Sequence, residues 1–83
     1  MIRVTLYGRE DCHLCHAMRA VVEEVRMAGG LEVEVEEVDV DGDPTLAATY
    51  GDEVPALCVN GRKAFKYRVD APTLRARLAR EPR

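Results

Sequence analysis

The chain has 83 residues, with 15 acids, 12 bases and three cysteines. That length builds one small domain, expected over 1–83, whose core is small enough to need regular packing. The net charge of −3 excludes a strongly basic nucleic-acid binder, and the cysteines, two of them three positions apart, cannot form the disulfide framework of a small secreted scaffold.

Ile2-Arg3-Val4-Thr5-Leu6-Tyr7 alternates apolar and polar residues and predicts a first strand closed by Gly8. Asp11 is a good N-cap for a helix whose first turn holds Cys12. Cys15, Met18, Val22 and Val25 recur at helical spacing, and Gly29-Gly30 ends the pattern. Leu31 to Val35 alternates as a second strand. Its apolar phase slips at Glu36-Glu37 before Val38 and Val40, which predicts a bulge or bend there, the alternative being the strand's true edge. Asp43-Pro44 is an N-cap followed by a first helical residue, for a short helix through Tyr50 that Gly51 stops. Val54 to Val59 is an apolar run expected to be a strand covered on both faces. Asn60-Gly61 is the preferred two-residue hairpin turn, and Arg62 to Tyr67 returns as the partner strand. Asp70 caps a last helix with Ala71, Leu74 and Leu78 on one face. The order β-α-β-α-β-β-α implies a parallel crossover followed by an antiparallel hairpin, giving a four-stranded mixed sheet with helices on both faces.

Cys12-His13-Leu14-Cys15 carries the chemistry. At the start of a helix this spacing sets one sulfur beside unpaired N–H groups and the positive dipole end, which favours thiolate over thiol. The second sulfur lies less than a turn behind, so a disulfide can close with little backbone movement. A thiolate beside a second thiol suffices for thiol–disulfide exchange. Two other chemistries compete for the same residues. Cys12-x-x-Cys15-His16 also matches the c-type haem attachment pattern, but that reading needs export and a helical fold. Zinc bound by Cys12, His13, Cys15 and His16 would need four ligands within five residues to close around one ion. Cys58, alternating with Ala56 in the third strand, is expected to be a buried small hydrophobe.

With Val54-Pro55 about forty residues after the Cys pair, and with the matching element order, the whole chain resembles the thioredoxin fold. The run Tyr7-Gly8-Arg9-Glu10-Asp11-Cys12-His13-Leu14-Cys15 is most similar to the small glutaredoxin-like branch with Cys-His-Leu-Cys at its active site. The resemblance implies a small thiol–disulfide oxidoreductase in which Cys12 is the nucleophile and Cys15 the resolving thiol. It further implies that Pro55 is cis and that Val54 offers its backbone N–H and C=O to a bound substrate. From their places beside the thiols, Arg9 and His13 are expected to complete the substrate-binding set, Arg9 as positive charge near the thiolate and His13 as a group that tunes it. The alternative for each is a solvated surface residue. No bound cofactor is expected, and glutathione or a reductase-like protein is the implied electron donor. The implied substrate is a disulfide-containing protein or a glutathione mixed disulfide. Glutaredoxins usually carry Cys-Pro-Tyr-Cys, and after the last strand a glycine pair followed by acids; here His13-Leu14 and Lys66-Tyr67-Arg68-Val69-Asp70 stand in those places. The alternative within the same fold is a non-enzymatic metal or iron–sulfur carrier, or a redox-sensing adaptor.

The charge is unevenly spread. Residues 31–53 hold nine acids and no base, whereas residues 60–83 hold eight bases and two acids. With no recognition motif beside them, these are expected to be acidic and basic faces that compensate one another. No apolar run approaches signal-peptide or membrane-spanning length. The expectation is therefore a cytoplasmic monomer that meets neither membrane nor nucleic acid.

Overall fold

The computed structural model describes residues 1–82. Strand β1 (Ile2–Gly8) leads into helix α1 (His13–Ala28) and strand β2 (Val33–Asp39). A short 3₁₀ turn over Val40–Gly42 precedes helix α2 (Pro44–Tyr50); strands β3 (Ala56–Val59) and β4 (Arg62–Lys66) and helix α3 (Ala71–Ala79) complete the chain. The sheet order is β2-β1-β3-β4, with β1 parallel to β2 and antiparallel to β3, and β3 antiparallel to β4. This is the architecture the element order implies.

Alternation along the strands sorts the side chains between two faces. Ile2, Val4 and Leu6 of β1, with Leu57 and Val59 of β3, face one side and form the main core with Met18, Val22 and Val25 of α1 and Leu74 and Leu78 of α3. Fully burying each such side chain contributes about 1.5–3 kcal/mol. The opposite face carries Thr5, Tyr7, Ala56 and Cys58. Helix α2 reaches it through Tyr50, whose ring stacks on Tyr7 at a centroid distance of 4.2 Å. All four residues of β3 are buried, as expected for a strand covered on both sides.

Two local expectations change. Strand β2 pairs with β1 without interruption from Ile2↔Val33 to Gly8↔Asp39, so Glu36-Glu37 is no bulge. The slip marks a change in which face is covered. Val33 and Val35 point towards α1, the same series puts Glu37 there too, where it pairs with Arg19 of α1, and Val38 follows Tyr7 on the other face. The irregularity of the sheet lies between β3 and β4, where Leu57 pairs with Phe65 but Cys58 pairs with Lys63, leaving Ala64 as the extra residue. Strand β3 also starts later than the apolar run, at Ala56, because Pro55 has no N–H to give a ladder.

The turns follow their residue chemistry. Asn60 and Gly61 both adopt positive φ, 50° and 85°, as a two-residue hairpin of this kind requires. Asp43 and Asp70 cap α2 and α3 by accepting the N–H groups of Thr45 and Thr73, each at 2.8 Å.

Three carboxylates sit below their ordinary range: Asp70 through its bonds to Thr73, Glu53 through Lys63 and then Lys66, and Glu81 through Asn60 and then Arg77. Each binds its proton less readily folded than unfolded, so its stabilisation is complete above the unfolded carboxylate range of about 4 and is lost as pH falls through the lower folded value. Urea midpoints should therefore be level near neutrality and decline below about pH 5. Asp70→Asn and Glu81→Gln should be less stable at neutral pH and show a shallower acid decline.

Candidate functional site

The helix carrying the two thiols begins one residue later than Asp11 would set it. Cys12 is itself the N-cap, with extended backbone (φ −120°, ψ 109°), and its Sγ accepts the Cys15 N–H at 3.1 Å. An N3 amide has no partner within a helix, and here the cap acceptor is sulfur rather than the expected carboxylate oxygen. Asp11 lies outside the helix and is exposed.

Cys12 and Cys15 are joined as a disulfide, with Cα atoms 5.1 Å apart, within the range such bridges occupy. The two sulfurs differ in setting. Cys12 is partly exposed at the helix end, whereas Cys15 is 2% exposed and belongs to the buried stripe of α1. Gly8 makes this seating possible, for a Cβ there would lie 3.0 Å from Cys15 Sγ and 3.2 Å from its Cβ. The sequence pattern marks Gly8 only as a strand end; its closeness to Cys15 depends on how α1 folds back over β1. A cleft of about 260 Å³, bordered by Gly8, Cys15 and the Arg19–Glu37 pair, lies on the β2 side of the bridge.

The Val54–Pro55 peptide is cis, the isomer the resemblance implies. Tyr7 pairs with Ala56, so Pro55 lies opposite Gly8 one register step further on, at the sheet end from which the chain runs to Cys12. Val54 is half-buried, and neither its N–H nor its C=O has a hydrogen-bond partner among the described residues.

Arg9 is engaged elsewhere. Its Nε donates to both Asp41 carboxylate oxygens at 3.1 and 3.2 Å, and its terminal nitrogen donates to the Gly51 carbonyl at 2.9 Å. The guanidinium thus ties the loop before Cys12 to the 3₁₀ turn and to the end of α2. His13 is exposed as the first residue of α1, and His16 Nε2–H donates to the Glu10 carbonyl at 3.1 Å. Among the described residues, no three His, Cys, Asp or Glu side chains gather as metal ligands.

Cys58 is buried and free, on the face opposite the main core. The Tyr50 hydroxyl lies 4.0 Å from its sulfur. Burial first, and then the facing Cys58 sulfur, push the Tyr50 phenol up to about 12, so it keeps its proton across the physiological range. The aromatic pair was not foreseen because Tyr7 and Tyr50 lie far apart in sequence.

A sheet of this order with a helix-capping Cys-x-x-Cys and a cis-proline at the same end defines a thioredoxin-fold domain with a close, disulfide-bonded cysteine pair. Thioredoxin-fold structures superpose accordingly: chloroplastic thioredoxin z has a TM-score of 0.78 at 15% identity, covering 95% of this chain and 76% of that one. Residues 3–79 match the glutaredoxin-like domain model (DUF836), and the chain belongs to that family. It is similar to a structural-genomics target protein from X. campestris, with a TM-score of 0.79 and 39% identity over 95% of this chain and 99% of that one. A protein from Nitrosomonas europaea gives a TM-score of 0.76 at 30% identity, covering 93% and 91% of the two chains. An uncharacterised protein of Mycobacterium tuberculosis is 32% identical over 81 residues, 94% of this chain and 84% of its own length.

The approach of β1 to the buried sulfur has a direct test. Gly8→Ala must displace Cys15, and overpacking of this kind costs about 1–3 kcal/mol. The oxidised variant should unfold at lower urea than the parent. An unchanged midpoint would mean that the strand end and the sulfur are not packed in this way.

Proposed function

We propose that the protein is a small thiol–disulfide oxidoreductase, with Cys12 as nucleophile and Cys15 as resolving thiol. The observation that carries this reading is the unequal setting of the two sulfurs, one capping a helix at the surface and the other buried behind it. In the reduced protein a Cys12 thiolate accepts the Cys15 N–H and faces the positive end of the α1 dipole, so its pKa falls below the free value of about 8.5. Cys15, in its apolar seat, remains a thiol until it is needed.

The reaction is a two-electron exchange. Cys12 thiolate attacks one sulfur of a substrate disulfide; a Cys12–substrate bond forms, the substrate S–S bond breaks, and the second substrate sulfur leaves as a thiolate that takes up a proton. Cys15 then loses its proton and attacks Cys12 Sγ, releasing the first substrate thiol and leaving the Cys12–Cys15 disulfide. The substrate is reduced by two electrons and the protein oxidised by two. Glutathione or a reductase-type protein returns it to the dithiol, as suits a reducing cytoplasm. Val54 supplies the unpaired backbone groups that an extended substrate would bond, with cis-Pro55 opposite Gly8 at the same sheet end and His13 exposed at the start of α1. Arg9 acts here as a positioning residue for the loop before Cys12, because its donors are held by Asp41 and Gly51.

Variants separate the two roles. Cys15→Ser should accumulate a mixed disulfide through Cys12, while Cys12→Ser should form none and lose activity. Alkylation of Cys12 should titrate with a midpoint below about 8.5, and the couple should be reversible between about −150 and −350 mV. The reading fails if no reversible Cys12–Cys15 disulfide forms in that range.

A further inference from the structure

Tyr67 adopts a backbone conformation that its residue type disfavours. Its φ is +69°, and the Arg68 N–H donates to the Lys66 carbonyl at 2.8 Å across it. That makes Tyr67 the centre of a γ-turn of the rare, positive-φ kind, a strained setting that glycine occupies without cost. Two further bonds hold it: its N–H donates to the Pro55 carbonyl at 2.8 Å, and its hydroxyl donates to the Asp52 carbonyl at 2.9 Å. The tyrosine therefore straddles Val54, bonded to the chain on either side of it. The residue is nevertheless 40% exposed. Because Lys66 pairs with Ala56, this turn lies at the sheet end that also carries Pro55 and the Cys12 loop.

A strained residue is kept only where its surroundings over-determine it, and such positions gather at binding sites. Here the strain holds a rigid, exposed aromatic ring beside a half-buried backbone segment whose N–H and C=O are unpaired. Those two groups are complementary to one residue of an extended polypeptide, in the manner of strand addition. The ring borders the place that the side chains of such a strand would fill. We propose that Tyr67 is a specificity-determining residue that makes the site select polypeptide disulfides over small non-peptide ones, its ring packing against the substrate residue beside the reacting cysteine. This rests on the exchange chemistry proposed above.

The test compares kcat/KM for a disulfide-linked peptide with kcat/KM for hydroxyethyl disulfide, in the parent protein and in Tyr67→Gly, Tyr67→Ala and Tyr67→Phe. The peptide-to-small-disulfide ratio should fall about three- to ten-fold in the Gly and Ala variants, through KM for the peptide, which is the size of one aromatic contact. Tyr67→Phe keeps the ring and should stay within about two-fold of the parent. Tyr67→Gly suits the positive φ and should fold at least as well as the parent, and the pH profile of Cys12 alkylation should not move. A ratio unchanged in Tyr67→Gly, or an equal loss on both substrates, overturns the assignment while leaving the exchange chemistry intact. A parent protein that reduces neither substrate overturns both.

Discussion

The bond from the Cys15 N–H to Cys12 Sγ makes one sulfur both the cap of a helix and half of the Cys12–Cys15 bridge. A helix start leaves several amides without partners, and whatever accepts them fixes where the helix begins. An oxygen cap at Asp11 would have placed Cys12 inside the first turn. With sulfur as the cap, Cys12 stays extended and partly exposed while its Sγ faces back along the helix. Ionisation strengthens such a bond, because a charged acceptor binds an N–H more tightly than a neutral one. The thiolate that the proposed exchange needs is thus also the state that best completes the first turn of α1. Met18, Val22 and Val25 hold the helix on the sheet, and Gly8 lets β1 end against Cys15, so the core sets the direction in which the cap points.

The uneven charge takes its meaning from strand order. Strands β2 and β4 are the two edges, and the acid-rich segment supplies the first while the base-rich segment supplies the second. Charged edges deter pairing with other strands. Some of these charges are matched across neighbouring elements: Glu34 with Arg3, Glu37 with Arg19, and Glu53 with Lys63 and Lys66. Exposed pairs of this kind contribute little each. Arg9 is a different case, since it joins three chain segments near the site through a carboxylate and a backbone carbonyl together.

Most of the architecture was legible because it rests on local signals. Helix ends follow from Asp43-Pro44, Asp70 and Gly29; the hairpin follows from Asn60-Gly61; the core stripe of α1 follows from its period. The misreadings have two causes, one a contact between segments distant in sequence and the other a local choice of cap. The slip at Glu36-Glu37 looked like a bulge because the pattern cannot say that Arg19 waits on the core side for Glu37. The cap looked like Asp11 because Asp is among the preferred capping residues, whereas the contact that sets the helix start is the local one from the Cys15 N–H to Cys12 Sγ. Of the candidate site, the cysteines and Val54-Pro55 could be read from motif and order. The engagement of Arg9, the stack of Tyr7 on Tyr50 and the turn at Tyr67 could not, for each depends on partners brought together only by the sheet.

The parallel pairing of β1 with β2 explains why so much gathers at one end. A crossover helix must return the chain to the start of the next strand, so its N-terminus lies at the carboxyl end of the strand before it, and ligand sites in open α/β sheets collect there. Strands β1 and β4 both finish at this end and β3 begins there, as the pairs Tyr7↔Ala56 and Ala56↔Lys66 require. The opposite end receives the last turn of α1, the Gly29-Gly30 stop and the Asn60-Gly61 turn, which close the chain without leaving reactive groups among them. The proposed selectivity for polypeptides accordingly rests on the loops at this end, where the Val54–Pro55 peptide is cis and Tyr67 holds a positive φ of 69°.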